Sequence, residues 1–140
     1  MKNEILTKNE NENENVNNEQ TYCSIICKSN EERKNLFNAL EKADVLLNDV
    51  VGTEFNLKDV YLHKYTKLNE ETGEVENKCR VLLFDDNGQT YATGSFGIFN
   101  IIGRIFEVFG TPDEWEEPLR VKVIKKEIGN NKKMLSLEIM

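Results

Sequence analysis

One histidine and three cysteines in 140 residues, no glycine-rich phosphate loop and no pair of carboxylates in an apolar setting leave little from which to build acid-base or nucleophilic chemistry. Cys23 and Cys27 have a single imidazole, His63, to partner them, too few soft ligands for a four-coordinate zinc site within one subunit. With Cys79 the cysteines form an odd set without the spacing of a secreted disulfide framework, so reduced thiols are expected. No apolar run approaches the ~20 residues that cross a bilayer, and the acidic, Asn-rich N-terminus is unlike a signal peptide. These absences predict a cytoplasmic, non-enzymatic protein with no metal or other cofactor.

Positive charge is also scarce. The net charge of −7, from 18 basic and 25 acidic residues, excludes a uniformly basic nucleic-acid footprint. The balance is uneven along the chain. Residues 1–20 carry two Lys against five Glu, and residues 95–117 carry Arg104 against five acids. Residues 118–140 reverse the sign, with six cations against Glu127 and Glu138. Because screening at physiological salt limits the reach of distant charge to about 8 Å, an acidic chain with a basic terminal hairpin can still bind a polyanion locally.

What is present is an ordered series of patterned segments. Residues 1–21 are acidic and rich in Asn and Glu, and from Lys8 onward nearly devoid of apolar side chains, which predicts a disordered tail. Residues 22–52 form an N-terminal extension. Ser29 and Glu32 have capping-box spacing, and Leu36, Phe37 and Leu40 follow at helical spacing, predicting a helix over 30–42. Residues 45–52 are apolar but too short to classify.

From residue 53 to 140 the pattern is strand, hairpin, helix, hairpin. Phe55 and Leu57 alternate, the phase slips at Asp59, and Val60 and Leu62 resume, which predicts a bulged strand with Tyr61, His63 and Tyr65 on its outer face and Lys64 nearby. Residues 78–84 and 89–93 flank Asn87-Gly88, the strongest short hairpin signal. A two-residue turn there sets Phe84 opposite Tyr91 and places both, with Arg80, on the outward face. Ser95 caps a helix with Ile98, Ile101, Ile102, Ile105 and Phe109 in one stripe, ended by Gly110. Its further phenylalanines offer a surface for the N-terminal helix or a second subunit. The terminal hairpin turns at residues 129–131, with Lys122 on its first strand and Lys126 near the turn. Trp115, among acids, reads as a cap on the barrel end, and His63 as incidental.

The whole is a mainly β chain: a five-stranded OB-fold Greek-key barrel with a helix between strands 3 and 4, preceded by an N-terminal helix and a disordered tail. Fold alone gives no function. The site does: exposed aromatic faces with cations that follow a backbone are what sequence-tolerant single-strand binders use. Tyr61, Tyr65, Phe84 and Tyr91 are the candidate stacking rings, and Lys64, Arg80, Lys122 and Lys126 the candidate phosphate contacts.

Residues 49–139, through LKDVYLHKY, CRVLLFDDNGQTYATGS and LRVKVIKKEIGNNKKMLSLEI, resemble bacteriophage single-stranded DNA-binding proteins of protein-primed replication systems in Gram-positive hosts. The resemblance implies a small OB domain that coats displaced strands during phage DNA replication or recombination. It does not reach the N-terminal tail or the Ser29 helix, where a role in oligomerisation or in contacts with other replication proteins stays open. The competing reading is an acidic OB-fold adaptor or DNA-mimic inhibitor of a replication or host nucleic-acid-binding protein. Salt-sensitive binding of oligonucleotide separates the two.

Overall fold

A computed structural model describes the strand Ile5–Thr7 and residues 19–140. In chain order its elements are β1 (Ile5–Thr7), β2 (Gln20–Cys23), α1 (Asn30–Glu41), β3 (Val45–Leu46), β4 (Glu54–Leu68), β5 (Val75–Asp85), β6 (Thr90–Thr93), α2 (Phe96–Phe109), β7 (Leu119–Gly129) and β8 (Lys132–Ile139). Short 3-10 turns span Leu47–Val50 and Pro112–Glu114.

β4 organises the sheet because it is long enough to serve different partners along its length. One edge pairs with β5 as far as Leu68; the other pairs with β7 over Glu54 to Leu57 and with β2 over Tyr61 to Lys64. The register shifts between Leu57 and Asp59, the bulge expected from the phase slip. That shift keeps Phe55, Leu57 and Val60 all on the buried face although their spacing changes from two to three. β5 continues into β6, and β7 into β8.

The concave face is filled from both sides. Leu57, Val60, Val81, Leu83, Val121 and Val123 from the strands meet Ile98, Ile102 and Ile105 from α2 in one cluster. Burying an aliphatic side chain of this size contributes about 1.5–3 kcal/mol. Ser95 caps α2 by accepting from the backbone N–H groups of Gly97 and Ile98. Gly97 is required by packing: a Cβ there meets the Leu135 carbonyl and the Met134 side chain on β8. The sheet is a curled half-barrel. A pairing of β6 with β8, which closes a five-stranded barrel, is not among its described strand pairs. Instead α2 packs on β8, and β3 lies parallel to β6, Val45 level with Tyr91.

The N-terminal extension is built into this sheet. Leu47, in the segment too short to classify from sequence, is fully buried in the core. Tyr22 on β2 is buried against Phe106 of α2, with ring centroids 5.3 Å apart. So the apolar face of α2 receives the N-terminal strand, not the N-terminal helix. α1 begins as predicted, with Ser29 accepting from the Glu32 N–H, yet buries none of its residues and leaves Phe37 62% exposed. Within the segment expected to be a disordered tail, β1 pairs antiparallel with β2; residues 1–4 and 8–18 lie outside the described residues. No described helix is long and apolar enough to cross a membrane.

Candidate nucleic-acid interface

Strand alternation on β4 turns Tyr61, His63 and Tyr65 to the convex face, away from Val60 and Leu62. All three are half-buried. The His63 ring stacks on Tyr65 at a centroid distance of 4.9 Å and 29°, and meets Tyr61 at 6.4 Å and 61°. The three form a continuous aromatic ladder along the strand. β5 lines one side, with Leu82 opposite Tyr61, Arg80 opposite His63 and Lys78 opposite Tyr65. β2 lines the other, with Thr21 opposite His63 and Cys23 opposite Tyr61.

Arg80 is half-buried and forms no ion pair among the described residues, so its charge remains for a ligand. Burial pushes the Tyr61 phenol above its ordinary value, while Arg80 pulls it down and Cys23 and Glu19 add to the rise. The ring is therefore neutral in the range where a strand would bind. His63 Nε2 lies 3.5 Å from Glu19 Oε2, and Lys78 Nζ lies 3.5 Å from Glu76 Oε1.

The β5–β6 hairpin does not add its aromatics to this face. Asp85 N–H donates to the Gln89 carbonyl at 3.0 Å, so three residues, Asp86, Asn87 and Gly88, form the loop where two were expected. The buried Asp85 carboxylate holds that loop, accepting from the Asn87 and Gln89 N–H groups at 2.8 and 2.9 Å. Gly88, at φ +87°, supplies the left-handed residue that a three-residue hairpin needs. The register moves by one: Leu83 faces Tyr91, and Phe84 faces Thr90. A one-residue slip exchanges the faces of a strand.

Tyr91 is accordingly in the core, 5% exposed, stacked on Phe55 with centroids 4.2 Å apart, and its hydroxyl donates to Asp85. Burial, with that hydrogen bond and the Asp85 charge behind it, pushes its phenol up to about 12. Phe84 keeps the convex face but is only 9% exposed, lining a cleft of about 480 Å³ with Ile25, Ile26, Leu36 and Ala39 of the extension. The expectation that Phe84 and Tyr91 form an exposed stacking pair is corrected on both counts.

The lysines also separate. Lys64 is exposed, but alternation turns it away from the ladder, level with Cys79, although it borders a hollow of about 270 Å³ with Tyr65 and Thr66. Lys122 is half-buried and level with Glu54 on one side and Glu138 on the other. Since Lys122 is level with Glu54 and the ladder begins at Tyr61, Lys122 and the near end of the ladder are separated by roughly 23 Å of extended strand. Lys126 is further toward the β7–β8 turn, in a groove of about 220 Å³ with Arg104, Ile101 and Met134. Trp115 is half-buried, and its Nε1 donates to the Gly110 carbonyl at 2.8 Å. No group of His, Cys, Asp and Glu among the described residues is placed to hold a metal ion.

His63, placed by strand parity on the outer face between the two tyrosines and set aside as incidental, has its ring in contact range of both. Arg104 shares a groove with Lys126, a neighbour that helix phase alone does not reveal.

A family model described as phage single-stranded DNA-binding protein matches residues 15–140. The single-stranded DNA-binding protein of Bacillus phage GA-1 is 30% identical over 96 residues, which is 65% of this chain and 56% of that relative. The chain thus spans little more than half the length of the relative it matches. No solved structure matches it.

Proposed function

We propose that this chain, which belongs to the phage single-stranded DNA-binding protein family, binds single-stranded DNA with little sequence preference and keeps strands protected and unpaired during phage DNA replication or recombination. The observation that carries this reading is the convex-face ladder, with Tyr61 and Tyr65 as stacking rings and, beside them, Arg80 without an ion pair among the described residues. Every base has a π-face, so stacking tolerates sequence, and each stacked base contributes about 1–3 kcal/mol. Duplex DNA hides those faces. Binding is therefore selective for open strands without any chemical step.

The order β4-β5-β6, helix, β7-β8, with β7 returning to β4, supports an OB-type barrel whose fourth-to-fifth-strand hairpin carries the basic charge. Residues 53–140 carry the interface in this proposal, and residues 22–52 brace it. Lys122 and Lys126, beyond the Tyr61 end of the ladder, serve phosphates of a longer strand, and Lys64, turned away from the rings, serves one at the hollow it borders with Tyr65. We place the protein in the cytoplasm of the host cell.

Fluorescence-anisotropy titration of labelled oligo-dT, with duplex of equal length as competitor and at two salt concentrations, tests the reading. Binding that weakens with salt and resists duplex supports it. No binding at low salt overturns it.

A further inference from the structure

His63 is the only imidazole in the chain, and the fold places it at the centre of the ladder. Its ring is within stacking range of Tyr65, it lies cross-strand from Arg80, and 24% of its side chain is exposed. Glu19, at the end of the β2 side, already sets a carboxylate oxygen 3.5 Å from Nε2. An oxyanion can therefore reach this nitrogen on the convex face. The other groups facing His63 are the Tyr61 and Tyr65 phenols on β4, Cys23 on β2, and Arg80 and Lys78 on β5.

We propose that His63 is a nucleic-acid-contacting residue: its ring continues the stacking platform, and in its protonated form Nε2–H donates to a strand phosphate in the place that Glu19 holds in the free protein. This inference rests on the ladder being the single-strand interface. A strand that binds the imidazolium better than the imidazole must, by linkage, bind more tightly as the pH falls. Imidazole is the side chain that titrates between pH 5 and 8. The added cation should also release one more counterion, which steepens the dependence of log K on log salt by about 0.7 for a single strand.

The test is oligo-dT anisotropy with the full chain between about pH 8 and pH 5.5 at several salt concentrations, alongside His63→Phe and His63→Gln, with circular dichroism to establish that each variant folds. Wild type should bind about three- to tenfold more tightly at the acidic end, with the steeper salt slope. His63→Phe keeps a ring without a titratable nitrogen, so it should still bind oligo-dT but lose both the pH response and the extra slope. His63→Gln should bind more weakly than His63→Phe throughout. Glu19→Gln should bind more tightly than wild type at every pH and keep the response, since it removes the competing carboxylate. A His63→Phe protein with the pH response of wild type, or a wild type that binds equally at both ends, overturns the inference while leaving the single-strand reading standing. A wild type that binds no oligo-dT at either pH overturns both.

Discussion

Tyr61 with Tyr65 and Phe84 with Tyr91 are pairs of aromatic residues that, by residue type and local pattern, have equal claims to an exposed face. The structure leaves the first pair half-exposed on the convex side of β4 and buries the second. The difference lies in what fixes strand phase. On β4 the phase follows from apolar residues that must face the core, Leu57 before the bulge and Val60 after it. In the β5–β6 hairpin it follows from loop length, which a buried carboxylate sets. Asp85 accepts from two backbone N–H groups and from Tyr91 itself, and these bonds favour three loop residues over two.

That contrast can be broken by mutation. The largest expected effect is on Tyr91→Ala, which removes a buried ring stacked on Phe55 and should cost about 3–5 kcal/mol of stability, read as a fall in denaturation midpoint. Its oligonucleotide affinity per folded molecule should stay close to wild type. Tyr61→Ala and Tyr65→Ala should behave in the opposite way: each loses about 1–3 kcal/mol of affinity in an oligo-dT titration with a smaller loss of thermal stability.

Gly88→Ala should lower stability by roughly 1–2 kcal/mol, because it forces a side chain into the left-handed region on which the three-residue loop depends. Arg80→Ala should weaken binding of all sequences alike and flatten the salt slope by about 0.7. Smallest is Lys126→Ala, which should affect long oligonucleotides and leave short ones that cover the ladder alone unchanged. An equal loss on short and long strands would place Lys126 next to the ladder and contradict its position toward the β7–β8 turn, farther from Tyr61 along the sheet than Lys122, itself roughly 23 Å away along β4.

Much of the fold was legible in the sequence because it rests on local chemistry. The Ser29 and Ser95 caps, the stripe of Ile98, Ile102 and Ile105, and the slip at Asp59 each declare an element without reference to the rest of the chain. What was not legible depended on distant partners. Leu47 enters the core because β3 finds the free edge of β6. Phe84 is covered because residues 25–39 cross the convex face, and Phe109, assigned to the buried stripe, is 42% exposed at the end of α2. In the candidate interface, Tyr61, Tyr65 and Arg80 are brought together as expected, whereas the two hairpin aromatics and the terminal-hairpin lysines are not. Residue type alone could not separate these cases, since a tyrosine packs its ring against a core as readily as against a base.

The most direct measurement is oligo-dT anisotropy for the Tyr61→Ala/Tyr65→Ala double variant beside wild type, with circular dichroism on the same samples. If the convex face of β4 is the single-strand interface, the double variant retains the wild-type spectrum and loses about 2 kcal/mol or more of affinity, roughly thirtyfold. A folded double variant that binds oligo-dT as tightly as wild type would contradict that placement of the interface.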